Sequence, residues 1–82
     1  MRLDKFLKNS RIIKRRTVAK KAAEDERVLI NGKIAKPSSE VSEGDIIEIK
    51  FASSILKVSV LNLDENTKKS NAQEMYRVIE HE

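Results

Sequence analysis

Apolar residues near the start of the chain recur with helical spacing. Leu3, Phe6 and Leu7 stand at positions i, i+3 and i+4, which places them on one face of a helix. We therefore predict a first helix from about Arg2 to Lys8. It ends at Asn9-Ser10, because these side chains compete with the helix for nearby backbone groups.

A second helical pattern runs from about Arg15 to Asp25. Its apolar residues form a narrow stripe of small side chains, which lets this helix lie close to its neighbour; they are Val18, Ala19, Ala22 and Ala23. We predict that the residues through which the two helices pack are Leu3, Phe6, Val18 and Ala22. In the connection between the helices, the side chains of Ile12 and Ile13 are expected to pack into the core.

The middle of the chain alternates with the period of β-strands. Arg27–Ile30 and Lys33–Lys36 flank Asn31-Gly32, a strong hairpin signal because a type I′ turn needs positive φ at both central residues. Two further strands, Ile46–Phe51 and Ile55–Leu61, are expected to pair antiparallel. Their inward-facing residues are predicted to be Ile47, Ile49, Phe51, Leu56, Val58 and Val60.

The C-terminal part of the chain has a weaker pattern. Asp64 to Asn71 is polar and without apolar period, so we predict a loop. Ser70 and Gln73 have the spacing of a capping box for a short helix at about 71–75. Tyr76–Ile79 is predicted to be a last edge strand, with an extension of that helix as the alternative.

Charge is divided unevenly along the chain. Residues 1–37 contain 12 of the 17 basic residues against four acidic ones, a net charge of +8, whereas residues 38–82 contain five basic and nine acidic residues, a net charge of −4. Such a one-sided distribution is typical of a protein that binds a polyphosphate backbone. We therefore expect the first half to bind nucleic acid and the second half to support it.

The second helix has its charges in the order opposite to the one that the helix dipole favours. Its first turn contains Lys14-Arg15-Arg16 and its end contains Glu24-Asp25-Glu26. Backbone N–H groups at a helix start already attract anions, so this cluster is expected to place a phosphate there. Among the few aromatic residues, Phe6 and Phe51 are expected in the core, which favours recognition of backbone and shape over base stacking.

Catalytic and metal chemistry have no support in the sequence. The chain has no cysteine and one histidine, His81, which excludes disulfides and clustered zinc ligands. No nucleophile is arranged beside an acid or base, so we predict a non-enzymatic protein with no cofactor and no metal. No apolar run approaches the roughly 20 residues that span a bilayer. We therefore predict a cytoplasmic protein with no membrane partner. We also predict a monomer, because the sequence has no apolar stripe for oligomerisation beyond the core that it must fill.

Four short segments of the sequence resemble one protein family. They are Arg2-Leu3-Asp4-Lys5-Phe6-Leu7, Ser10-Arg11, Lys14-Arg15-Arg16 before Val18-Ala19, and Arg27-Val28-Leu29-Ile30-Asn31-Gly32-Lys33. Their order and spacing resemble the RNA-binding domain named after ribosomal small-subunit protein S-four. The resemblance implies an α+β fold, with two N-terminal helices packed on a small, twisted, mostly antiparallel sheet. It also implies a single RNA-binding domain over residues 1–82, with a core motif at about 1–52 and an extension at about 53–82.

Within this family, the segments Ile12–Ala23 and Ile30–Val41, together with the short length of the chain, resemble a bacterial group that acts in ribosome quality control. That similarity implies binding to rRNA of the large ribosomal subunit and to peptidyl-tRNA, and support of an RqcH-like tailing factor that adds C-terminal alanines to the nascent chain. On the matching positions, Asp4 is expected to orient an arginine. The residues expected to bind RNA are Arg2, Lys5, Arg11, Lys14, Arg15, Arg16, Lys20 and Lys33.

Other functions stay open at the level of sequence. In the same class, the chain could be an rRNA-binding ribosome assembly or heat-shock factor. A DNA-binding helix-turn-helix regulator also has two short helices with a basic second helix, but the hairpin that follows at once argues against it. A module that binds acidic proteins or membranes is disfavoured, because no strongly apolar face opposes the basic residues.

Overall fold

The computed structural model describes residues 1–63, 72 and 74–82. Two helices, α1 (Leu3–Asn9) and α2 (Arg16–Glu24), precede the strands. The strands are β1 (Val28–Ile30), β2 (Lys33–Ile34), β3 (Ile46–Lys50), β4 (Ile55–Val60) and β5 (Tyr76–His81). The predicted α+β fold is confirmed, and both helices begin one residue later than the sequence pattern indicates.

The five strands form one antiparallel sheet in the order β2-β1-β3-β4-β5. The predicted hairpin between β1 and β2 is confirmed, with φ of 51° at Asn31 and 82° at Gly32, as a type I′ turn requires. The Asn31 side chain also ties this turn to the start of β3. Its Oδ1 accepts a hydrogen bond from the Ile46 N–H at 2.9 Å, and its Nδ2 donates one to Asp45 at 3.1 Å.

The core lies between the helices and one face of the sheet. The α1 stripe of Leu3, Phe6 and Leu7 is fully buried, as predicted, and Ile13 is buried beside it. Burying a side chain of this size stabilises the fold by about 1.5–3 kcal/mol. The sheet and the turn before β5 contribute Val28, Ile47, Ile49, Val58, Val60 and Met75 to the same cluster.

The predicted contact face of α2 is wrong in part. The buried α2 residues are Ala19 and Ala23, while Ala22 is half-buried and Val18 is 50% exposed. The four apolar residues spread over about 140° of the helix circumference, so only one edge of the stripe can lie against α1 and the sheet. The edge with two alanines one turn apart allows the closest approach, which leaves Val18 at the periphery.

The predicted burial of Phe51 is also wrong, since this side chain is 39% exposed. Strand β3 ends at Lys50, and the Phe51 N–H bonds to the carbonyl of Ser54 at 2.8 Å. That bond belongs to the turn into β4. The alternation that would have directed Phe51 inward therefore stops one residue before it.

The last predicted strand is confirmed. Strand β5 pairs with β4 at one edge of the sheet, with a register irregularity between Lys57 and Val58. Just before β5, Ala72 and Met75 are buried. The loop predicted for Asp64 to Asn71 and the capping box of Ser70 and Gln73 lie outside the described residues.

The start of α1 is joined to the chain after the hairpin. The N-cap residue Arg2 makes no side-chain capping bond, and the first two N–H groups of the helix have no intrahelical acceptor. Carbonyls of the loop after β2 take that place: the Leu3 N–H bonds to Ser39 at 2.8 Å and the Asp4 N–H bonds to Pro37 at 3.1 Å. The loop therefore fixes α1 beside the hairpin.

Candidate RNA-binding site

A buried carboxylate joins the two helix starts. Asp4 lies in the first turn of α1, and its side chain is only 4% exposed. Its two oxygens accept hydrogen bonds from Nε and Nη2 of Arg2 at 3.2 and 3.3 Å. The Nη2 of Arg16, the first residue of α2, lies 3.5 Å from the Asp4 Oδ1. One carboxylate thus contacts two arginines that are far apart in sequence.

The surroundings of Asp4 keep this carboxylate charged. Burial alone would raise the pKa of Asp4, but the hydrogen bond from Arg2 and the positive charge of Arg16 outweigh burial. The backbone N–H of Lys5 also donates to Oδ1 at 2.8 Å. The pKa of Asp4 therefore lies below its ordinary value of 3.8, and Asp4 remains an anion at neutral pH.

Arg2 and Arg16 each keep about half of their side-chain surface open to solvent. A guanidinium has five N–H donors, so the bonds to Asp4 leave other donors of both residues available. Two arginines on one carboxylate have a net charge of +1. They form a pair of planar donors whose spacing the buried Asp4 maintains, an arrangement suited to phosphate oxygens.

The start of α2 adds backbone donors to this positive region. Arg15 is the N-cap residue with extended backbone, its side chain makes no capping bond, and the first turn contains no acidic residue. The prediction that Arg15 belongs to the helix is therefore off by one position. Because the first N–H groups of a helix attract anions, a phosphate placed here meets both these groups and the Arg16 side chain.

Arg2 also lines a shallow recess of about 600 Å³ between α2 and the hairpin. Lys20, predicted to bind RNA, lines the same recess, and so does Lys36, which the sequence reasoning did not single out. Lys36 follows β2 and directly precedes the Pro37 whose carbonyl accepts the Asp4 N–H. The acids Glu24 and Glu26 also line the recess and lower its net positive charge.

The remaining predicted residues occupy three elements. Lys5 lies on α1, half-buried, and Arg11 follows the end of α1 with a left-handed φ of 66°. Lys14 is exposed in the link before α2, and Lys33 is exposed at the start of β2, beside the hairpin turn. Hydrogen bonds bring Arg2, Asp4 and Arg16 together, and the recess adds Lys20. They do not join Lys14 or Lys33 to that group.

The described residues contain no cluster of three or more His, Cys, Asp or Glu side chains suited to a metal ion. Over the same ranges of the chain, none of the helices is both long enough and apolar enough to cross a membrane.

Comparison with known proteins identifies the family. A model of the S4 domain matches residues 1–47. An RQC P-site tRNA stabilizing factor of Listeria monocytogenes is 51% identical over 82 residues, with coverage of 100% of this chain and 89% of the relative. The RQC P-site tRNA stabilizing factor of Bacillus subtilis is 49% identical over 82 residues, with coverage of 100% and 95%.

A solved structure has the same fold. The trimeric structure of Heat Shock Protein 15 from Vibrio cholerae superposes with a TM-score of 0.86 at 30% sequence identity, and the match covers 95% of this chain and 80% of that one. The family resemblance inferred from the sequence is confirmed. The chain belongs to the S4 domain family and, within it, to the family of RQC P-site tRNA stabilizing factors.

Proposed function

We propose that this chain is a non-enzymatic RNA-binding factor of ribosome-associated quality control that stabilises tRNA in the ribosomal P site. The names of relatives near 50% identity support this role. The structural observation on which it depends is the pair of half-exposed arginines, Arg2 and Arg16, joined by the buried Asp4. All three residues lie within the part that matches the S4 domain.

In this proposal the positively charged surface formed by Arg2, Arg16 and the start of α2, here called the basic face, binds the phosphate backbone of RNA. Arg2 and Arg16 contact phosphate oxygens, Asp4 orients both guanidiniums, and the start of α2 supplies N–H groups. Arginine suits this task because its planar fork reaches two oxygens at once. The wider set of proposed RNA contacts comprises Lys5, Arg11, Lys14, Arg15, Lys20 and Lys33, to which the recess adds Lys36.

The finer assignment concerns the ribosomal context. We propose that one copy of the chain binds rRNA of the large subunit and peptidyl-tRNA together, in the cytoplasm. By keeping the tRNA in place it supports an RqcH-like tailing factor that adds C-terminal alanines to the nascent chain. A protein that only positions RNA needs no catalytic group, which agrees with the lack of an arranged nucleophile in the sequence.

Gradient fractionation of cells with stalled ribosomes tests this proposal. We expect the wild-type chain to travel with free large subunits, and a Lys20→Glu variant to move to the unbound fractions. Arg77→Glu is the matched control, because Arg77 is an exposed basic residue of β5. A wild-type chain absent from large subunits, or stalled chains whose alanine tails are unchanged in cells lacking the protein, would contradict the proposed role.

A second candidate is an rRNA-binding heat-shock or ribosome assembly factor. The likeness of fold to Heat Shock Protein 15 favours it. The two roles differ in their dependence on peptidyl-tRNA. A quality-control factor binds large subunits that retain peptidyl-tRNA, whereas a heat-shock or assembly factor that binds rRNA does not require it. Release of the chain from subunits after hydrolysis of the peptidyl-tRNA supports the first role, and retention supports the second. Light scattering of the purified chain tests the proposed monomer against the trimer of that relative.

A further inference from the structure

An apolar groove of about 300 Å³ lies on the flank of α2 opposite to Arg16. Val18 stands about 200° around the helix from Arg16, and Ala22 repeats its position one turn later. The groove runs from these two residues to the end of β3. Its apolar lining includes Ile12, Val18, Ala22, Ile49 and Phe51.

Two of these side chains are open to water at sites where the sequence predicts burial. Val18 is 50% exposed and Phe51 is 39% exposed. Single exposed apolar residues are common on protein surfaces, but these two share one concave surface. Apolar side chains gathered in a groove with a polar rim mark a site for interaction with a partner.

The rim of the groove is predominantly basic. Lys21, Arg27 and Lys50 line it together with one acid, Asp25. Asp25 is already paired with Lys21 at 3.1 Å, whereas neither Arg27 nor Lys50 has a side-chain ion pair within residues 1–63, 72 and 74–82. The excess of positive charge around an apolar centre complements a ligand that is apolar in the middle and acidic at its edges.

We propose that this groove docks a segment of a partner protein that presents an aliphatic or aromatic side chain flanked by carboxylates. The apolar side chain packs against Val18 and Phe51, and the carboxylates pair with Arg27 and Lys50. A nucleobase suits the groove less well, because its edges carry hydrogen-bonding groups that apolar walls leave unpaired at a cost in free energy.

The groove lies apart from the two proposed RNA contacts on α2. Arg16 and Lys20 lie on one flank of α2, where Lys20 lines the recess beside the hairpin, and Val18 and Ala22 lie on the other. One chain can therefore hold RNA and a protein segment at the same time. This docking role does not depend on the proposed role in quality control, and the two can fail independently.

Selection from a displayed library of random 12-residue peptides on the purified full chain tests the proposal. We expect the enriched peptides to contain an aliphatic or aromatic residue flanked by Asp or Glu. Their affinity, measured by fluorescence anisotropy, should fall at least tenfold for Val18→Asp and for Arg27→Glu, and should weaken with added salt. Leu61→Asp and Arg77→Glu are the controls, expected within twofold of wild type; Arg77→Glu repeats the charge reversal of Arg27→Glu at an exposed position of β5 outside the groove.

Leu61 is a matched control because it is 49% exposed and lies outside the groove lining. Circular dichroism on each variant separates lost docking from lost folding. Enriched peptides without acids, or equal affinity for wild type and Val18→Asp, would overturn the proposal. If AMP or UMP changed the NMR signals of Val18 and Phe51 and none of the peptides did, the groove would bind a nucleobase and the proposal would be wrong. It would also be wrong if the chain self-associated and Val18→Asp abolished that association.

Discussion

Arg16 opens the second helix and reaches back to Asp4 in the first, with 3.5 Å between its Nη2 and the Asp4 Oδ1. Arg2 binds the same carboxylate from the N-cap of α1. Asp4 therefore connects the two helices and holds two guanidiniums with part of each open to solvent. Fold stability and the shape of the basic face depend on the same carboxylate, so their changes on mutation are linked.

Replacing Asp4 with Asn tests the orienting role directly. The amide keeps the shape of the side chain but removes the charge that Arg2 and Arg16 contact. We expect a loss of about 1–2 kcal/mol in unfolding free energy, since bonds to charged groups contribute roughly 1.5–3 kcal/mol and both arginines are half exposed to screening solvent. Urea denaturation measures this change.

The same variant separates orientation from charge. Asp4→Asn makes the basic face more positive, so binding to heparin should stay equal or increase, while association with large ribosomal subunits should decrease. Glu43→Gln, the same change of charge at an exposed position, serves as the control. If Asp4→Asn bound subunits better than wild type, the orienting role would be refuted.

The pH dependence of stability gives an independent measure of Asp4. Its pKa is lowered by folding from an ordinary value of 3.8, so its contribution is fully present at pH values well above 3.8 and is lost as the pH falls below it. We expect the difference in unfolding free energy between wild type and Asp4→Asn to be constant near neutrality and to shrink in acid. A difference that grows on acidification would contradict this assignment.

Arg11 and Glu26 have the same backbone feature but different expected roles. Each follows a helix with a left-handed φ, 66° at Arg11 and 62° at Glu26, a conformation in which glycine avoids the strain of a Cβ atom. Relief of this strain exceeds the extra freedom that glycine gives the unfolded chain. Arg11→Gly and Glu26→Gly should therefore each stabilise the fold by about 0.5–1 kcal/mol.

Only one of these two variants should affect RNA. Arg11→Gly removes a proposed phosphate contact, so it should melt higher and yet bind ribosomal RNA more weakly. Glu26→Gly should melt higher and bind at least as well as wild type, because it removes an acid that lines the recess beside Arg2. Thermal melts and RNA filter binding on both variants give the comparison. Equal RNA affinity of Arg11→Gly and wild type would remove Arg11 from the proposed contacts.

The sequence predicts elements best where the chemistry is local. Asn31-Gly32 demands a type I′ turn through the φ values it allows, and the structure has that turn. The exposure of Val18 and Phe51 could not be predicted in this way. For Val18 it depends on which edge of a four-residue stripe meets α1, and for Phe51 on a turn closed by Ser54.

The site shows the same limit. A basic cluster at the start of α2 is visible as composition, but the contact between Asp4 and Arg16 spans 12 positions and forms only because the link between the helices reverses the chain. Lys36 reaches the recess beside Arg2 because Pro37 and Ser39 bind the start of α1. No periodicity in the sequence reports such a backbone link between distant segments.

Salt dependence and choice of nucleic acid test the backbone-contact mode. We expect affinity to fall linearly on a log–log salt plot, with each neutralised phosphate adding roughly 0.7 to 0.9 to the slope. Structured ribosomal RNA should be preferred over a random DNA duplex, because the paired arginines are fixed in spacing. Equal affinities for the two nucleic acids across the salt series would show that only charge is recognised.

Arg16→Ala is the sharpest single test of the basic face. It removes one guanidinium of the pair on Asp4 and the side chain beside the first N–H groups of α2. Association with ribosomal RNA should weaken by roughly 1–3 kcal/mol, the range for hydrogen bonds to charged groups. Because Arg2 still pairs with Asp4 at 3.2 Å, the loss of stability should stay below about 1 kcal/mol.

Two controls make the Arg16 result interpretable. Lys21→Ala removes a positive charge from the same helix, but on the flank of Val18, where Lys21 pairs with Asp25 at the surface. We expect the RNA affinity of this variant to stay within twofold of wild type. Leu3→Ala opens a cavity in the core and should cost roughly 2–5 kcal/mol of stability. Co-sedimentation with large subunits and thermal melts on all three variants decide the matter. If Arg16→Ala and Lys21→Ala weaken binding to large subunits equally, binding depends on total charge, and the assignment of Arg16 as an RNA-binding residue is wrong.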